Sequence, residues 1–92
     1  MGFTIQLGLK ALIEIQDAFN WYEKQKDGLG YEFLEELKVC YKNLIDNPER
    51  FSFINSTYRR IKTDRFPYIL VYEIDGDIIF INSVRHAKRR PL

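Results

Sequence analysis

His86 is the single histidine of the chain, and it stands inside a basic run, Val84-Arg85-His86-Ala87-Lys88-Arg89-Arg90. Two more cations, Arg60 and Lys62, are two residues apart in Tyr58-Arg59-Arg60-Ile61-Lys62-Thr63. These residue types suit phosphodiester chemistry. That reaction needs a base for the nucleophile, cations for the charge that develops on phosphorus, and an acid for the leaving oxygen. Arg60 and Lys62 can supply the cations, and His86 can act as base or acid. The commoner role of a lone histidine after a strand is a structural hydrogen bond. The sequence holds no metal-ligand cluster, no phosphate-cradling glycine loop and no nucleophile motif, so no metal or other cofactor is expected.

The elements that must position these residues lie between Tyr58 and Pro91. Tyr68 to Ile74 and Ile78 to Val84 are rich in β-branched and aromatic residues and read as two strands. Asp75-Gly76-Asp77 between them supplies the positive φ that a tight hairpin needs. Tyr58 to Thr63 reads as the strand before, and Pro67, which lacks an N–H, belongs at the start of the next one. Three consecutive strands with short connections imply an antiparallel meander.

Phe3 to Leu7 alternates apolar and polar residues and reads as a further strand, closed by Gly8. A helix is expected over about Leu9 to Lys26, with Leu12, Ile15, Ala18, Phe19 and Tyr22 on its apolar stripe, widened by Ala11 and Ile13. Lys10, Glu14, Asp17 and Glu23 fall on its wet side, and Trp21 falls off the stripe. Asp27-Gly28-Leu29-Gly30 reads as a reversing loop. A second helix follows over about Tyr31 to Asp46, with Phe33, Leu34, Leu37, Tyr41, Leu44 and Ile45 as its apolar face. Asn47-Pro48 ends it, because the residue before proline avoids the α region, and Glu49 to Ser56 reads as a loop whose Phe51 and Phe53 are expected to plug the sheet edge or the helix ends. Cys40 reads as a small, partly buried filler. The order is βααβββ: an α+β fold with a helical hairpin packed on one face of a mostly antiparallel four-stranded sheet, in one domain over residues 1–92.

Strand alternation assigns the two faces of that sheet. Tyr68, Leu70, Tyr72, Ile74 and Ile61 go against the helices. Tyr58, Arg60, Lys62, Ile69, Val71 and Glu73 go to the open side. With Arg85, His86, Lys88, Arg89 and Arg90 near the end of the sheet, this side forms a partly apolar, basic groove suited to an amphipathic peptide. Charge is segregated along the chain. Residues 1–56 carry 6 Lys and Arg against 9 Asp and Glu, whereas residues 57–92 carry 8 against 4. Such a division suggests an anionic partner for the sheet half, or attraction between the halves within the fold. No apolar run approaches the roughly 20 residues of a membrane helix, and no signal peptide is apparent, so a cytoplasmic protein is expected. The single cysteine excludes an internal disulfide.

The chain resembles the RelE/ParE superfamily of toxins from bacterial type II toxin–antitoxin (plasmid stabilisation) modules. The resemblance rests on Leu9-Lys10-Ala11-Leu12 through Tyr22, Gly28-Leu29-Gly30-Tyr31-Glu32-Phe33-Leu34 and Asn47-Pro48-Glu49-Arg50. Its most specific part is Arg59-Arg60-Ile61-Lys62, Arg65-Phe66-Pro67-Tyr68, Val71-Tyr72 and Val84-Arg85-His86. The resemblance implies a small toxin neutralised by a cognate antitoxin. It leaves two activities open: RelE-like, ribosome-dependent mRNA cleavage, or ParE-like poisoning of DNA gyrase without nuclease action. Arg60 and Lys62 fit the nuclease branch's second-strand cations, and Arg85 and His86 would complete the set. Yet Ile69 stands where that branch has a third-strand arginine, Ala87 stands where a further arginine is common, and no tyrosine lies near the end. The resemblance therefore favours the ParE-like branch, with Tyr58, Arg60, Lys62, Ile69, Val71, Arg89 and Arg90 as partner-binding residues. An inactive homologue that only binds an antitoxin is the third reading.

Overall fold

The structure, a computed structural model, describes residues 2–88. Arg89 and Arg90 of the expected partner-binding set lie outside the described residues. The elements are β1 (Thr4–Leu7), α1 (Leu9–Gln25), α2 (Leu29–Asp46), a 3₁₀ turn (Pro48–Arg50), β2 (Arg59–Lys62), β3 (Tyr68–Asp75) and β4 (Ile78–His86). The sheet order is β1-β4-β3-β2. The β2–β3–β4 meander is antiparallel, and β1 joins the far side of β4 in parallel. This is the expected α+β architecture of two helices on one four-stranded sheet.

The core lies between that sheet and the helical hairpin. Phe33, Leu37, Cys40 and Leu44 of α2 recur at helical spacing and are buried against Leu70, Tyr72, Ile79, Ile81 and Val84 of the central strands. At one end of the core the aromatic rings of Tyr22, Phe33, Phe66 and Tyr68 form a cluster, with centroids 4.9 to 6.2 Å apart. Edge-on and tilted pairs of this kind add to the stabilisation that area burial gives.

Three helical assignments differ from those the sequence suggests. Leu29 and Gly30 belong to α2 and not to the loop. Gly30 lies against α1: a Cβ there would sit 2.7 Å from Phe19 Cδ1 and 2.8 Å from the Phe19 carbonyl oxygen. Leu12 and Ile13 of α1 and Ile45 of α2 are exposed, because α1 buries a narrow stripe centred on Ala11 and Ala18. Glu14 is not on the wet side. Its carboxylate accepts hydrogen bonds from the Val84 N–H at 2.8 Å and from the Ser83 hydroxyl at 2.9 Å.

The Glu14 contacts have a cause in the sheet. The β3–β4 register slips between Val71 and Tyr72: Val71 pairs with Ser83, but Tyr72 pairs with Ile81, which leaves Asn82 as the extra residue of a β-bulge. Beside the bulge, β1 pairs with β4 only as far as Ile81, and Glu14 of α1 takes up the Ser83 hydroxyl and Val84 N–H on the free edge beyond. Two other carboxylates act alike. Glu23 accepts from the N–H groups of Gly28 and Gly30 at the start of α2. Glu36 accepts from those of Asp64 and Arg65 in the β2–β3 connection. Each acid thereby joins a helix to a neighbouring piece of backbone.

Candidate functional site: the open face of the sheet

The segment Glu49 to Ser56, expected as a loop, is tied to the sheet. Arg59 Nη1 donates to the carbonyl oxygens of Glu49 at 2.9 Å and Phe51 at 2.8 Å, and its guanidinium lies over the Phe53 ring at 3.8 Å. Phe53 and Arg59 form an isolated antiparallel bridge, and the Arg60 N–H donates to the Ser52 carbonyl oxygen. The chain therefore runs alongside the free edge of β2 and builds a wall there.

Between this wall and the sheet lies a groove of about 460 Å³. Arg50, Phe51 and Ser52 line it from the wall; Arg60, Ile61 and Lys62 from β2; Ile69 from β3; and Ala87 from beyond β4. Lys62 pairs with Ile69, and Ile69 pairs with Arg85, so these three residues form one rung across three strands. Arg60 stands one rung further along, opposite Val71. Strand alternation puts Arg60, Lys62, Ile69 and Arg85 on the face that the helices leave open.

His86 lies elsewhere. It pairs with Tyr68, and its ring meets the Tyr68 ring edge-on at 5.3 Å on the side of the aromatic cluster. Its Nδ1 accepts the Lys88 N–H at 3.1 Å. It is absent from the groove lining. The structure thus brings Arg60, Lys62 and Arg85 onto one face and leaves His86 apart from them. Val71, expected as an open partner-binding residue, is only 7% exposed; it sits beside the bulge and offers little surface. Tyr58 precedes β2 and is half-buried, with its N–H donated to Asn55 Oδ1.

Phe51 and Phe53 lie at the sheet edge, as expected; the groove residues that sequence reading missed are Arg50, Ser52 and Ala87. Nothing in their local pattern sets the distance between the segment after α2 and the edge of β2. The only signal is Arg59, an arginine on the helix-facing side of a strand, which needs polar partners when it is half-buried. Among the described residues, no cluster of three His, Cys, Asp or Glu side chains can hold a metal ion, and no helix is long and apolar enough to cross a membrane.

No curated protein matches the chain at a significant level. Among solved structures, the chain is similar to the chromosomal ParDE toxin–antitoxin system from P. aeruginosa, with a TM-score of 0.82 at 12% identity, covering 94% of this chain and 97% of that one. It is also similar to the isolated E. coli RelE toxin, with a TM-score of 0.69 at 25% identity, covering 96% of this chain and 87% of that one. The family model for the ParE toxin of the type II toxin–antitoxin system parDE matches residues 5–91. With the match spanning nearly the whole fold, the chain belongs to the ParE toxin family of type II toxin–antitoxin systems.

Proposed function

We propose that this chain is a toxin that arrests growth by binding a cytoplasmic protein target, DNA gyrase, and that a cognate antitoxin neutralises it. Family membership supports this reading. The observation that carries it over nuclease action is the divergence of His86 from the face that bears Arg60, Lys62 and Arg85. General acid–base catalysis needs the proton-transferring group within hydrogen-bond reach of the reacting oxygen. A phosphate held by the open-face cations would lie on the other side of the sheet from the His86–Tyr68 contact. Ile69, at the centre of the rung, offers no charge to a transition state.

One observation favours the second reading, a RelE-like endoribonuclease: the open face presents three cations, Arg60 and Lys62 on β2 and Arg85 on β4, as a phosphate-binding surface would. In that reading Arg60, Lys62 and Arg85 hold the RNA backbone and His86 moves a proton after leaving Tyr68. Induced expression with pulse labelling separates the two. Early arrest of DNA synthesis, with translation intact, supports the gyrase reading. Early arrest of translation, relieved by Arg60→Ala or His86→Ala, replaces it with the ribonuclease. Co-expression with the protein of the adjoining reading frame tests the antitoxin: rescue of growth and co-purification are expected.

A further inference from the structure

We propose that the outer face of α1 pairs two copies of this chain about a twofold axis beside Ile13, with Lys10 of each copy against Asp17 of the other. This surface lies apart from the open face of the sheet and goes beyond the toxin reading above.

The helix is apolar on a side where it meets solvent. Leu9 is 75% exposed, Leu12 48% and Ile13 54%, whereas Ala11 and Ala18 of the same helix are buried in the core. Residues three and four apart are neighbours on a helix. Leu9, Leu12 and Ile13 therefore form one contiguous patch in the first turns of α1. Further along the same line stand Gln16 and Asn20, whose side chains bond to each other at 3.0 Å. A single exposed leucine is ordinary, but a contiguous apolar cluster marks an interaction surface.

Charge identifies the occupant. Lys10 and Asp17 are both exposed. Lys10 stands three residues before Ile13 and Asp17 four after it, so both flank Ile13 on one side of the helix, about 10.5 Å apart along its axis. Consider two antiparallel α1 helices related by a twofold axis perpendicular to both. The rotation carries Lys10 to the level of Asp17 and keeps it on the same side. Each lysine then faces the other copy's aspartate, and the two Ile13 side chains meet between the pairs. One surface supplies both halves of the match, as an isologous interface requires. A partner of different sequence needs no such relation between two opposite charges.

Other arrangements lose this match. A parallel pair sets each charge level with its own copy, and like charges repel. An antiparallel register centred at the middle of α1 sets Ile13 against Asn20 and Leu9 against Lys24, so apolar side chains face polar ones. The interface is small for a stable dimer, and its affinity should be micromolar or weaker. Because α1 covers one face of the sheet, the pairing leaves Arg60 and Lys62 of both copies on outward faces.

Sedimentation equilibrium of the whole chain over a wide concentration range tests this. The wild type is expected to pass from monomer to dimer, and Ile13→Lys to stay monomeric; Ile13→Ser serves if the lysine variant misfolds. Lys10→Asp and Asp17→Lys should each weaken the dimer by about fivefold or more, because two attractive pairs become repulsive. The double swap, Lys10→Asp/Asp17→Lys, should restore it to within about twofold, as a double-mutant cycle requires of residues in contact. Lys42→Asp, the same charge change on α2, should leave it unchanged. Circular dichroism checks that each variant is folded. A wild type that stays monomeric at every concentration overturns the proposal. So does a dimer that the single reversals leave intact, or one that the swap fails to restore. If the chain alone is monomeric and Ile13→Lys abolishes co-purification with the adjoining-frame protein, the face belongs to that protein and self-pairing is ruled out.

Discussion

The hydroxyl of Tyr72 donates to the carbonyl oxygen of Pro48 at 2.6 Å, in the buried interior between β3 and the 3₁₀ turn that follows α2. This bond holds the start of the groove wall against the centre of the sheet. Tyr72→Phe keeps the ring and leaves a buried carbonyl without its partner, which costs ~1–3 kcal/mol. Urea denaturation should show that loss. The Arg59 carbonyl contacts should loosen with it, seen as faster amide exchange at Phe51 and Ser52.

The same hydroxyl gives the fold an alkaline limit. Burial pushes the Tyr72 phenol up from 10.0 to about 12, against the opposing pull of Arg59 and Arg50. The folded state therefore favours the neutral phenol more than the unfolded chain does. Its contribution is intact below pH 10 and is lost as pH rises from 10 to 12. Thermal melts across that window should show falling stability for the wild type and a shallower fall for Tyr72→Phe.

Gly30→Ala should destabilise the fold although alanine is the better helix former by ~1 kcal/mol. The added methyl meets Phe19 and the aliphatic part of Glu23 at less than contact distance, and such overpacking costs ~1–3 kcal/mol. Chemical denaturation decides the sign. A stabilised variant would mean that the helices can part at little cost.

Glu14→Ala should cost ~1–3 kcal/mol, because the Val84 N–H and the Ser83 hydroxyl lose their shared acceptor. Glu14→Gln keeps an acceptor oxygen and should recover much of the loss. A melting series of the two variants reads out whether the bulge depends on this side chain.

Cys40 should be silent to thiol reagents in the folded protein. It is 4% exposed, and burial, then the charges of Glu36 and Asp64, push its thiol from 9.0 to about 11. The thiolate is the reactive form, so Ellman's reagent at pH 8 should react only after denaturant is added.

Strand patterns carried most of the fold because side-chain alternation and turn residues are local. Ile61, Leu70 and Tyr72 fell to the core by that rule, and they are buried. The Asp75-Gly76-Asp77 turn was legible from its Asp-Gly pair, and Gly76 has a φ of +62°. What failed was set by partners distant in sequence. Leu12 and Ile13 lie on α1's outer surface because the sheet beneath has room only for the narrow Ala11–Ala18 stripe. Val71 lost its exposure beside a bulge that no local pattern announced. Of the site, Arg60, Lys62 and Ile69 could be assigned to the open face from alternation alone. The separate place of His86 depends on its pairing with Tyr68, and the groove wall depends on Arg59 reaching two carbonyl oxygens.

Among the described residues, β1 has its only strand partner in β4. Thr4 to Leu7 align with Ile78 to Ile81, and Glu14 reaches Val84 across 70 residues of sequence. During synthesis the opening segment leaves the ribosome long before its mate exists. Pairings of such long range close late, after the intervening helices and meander have formed. The sheet that carries the cationic rung is therefore completed only after β4 has been made, so a chain cut short before Ile78 lacks the strand that pairs with both β1 and β3.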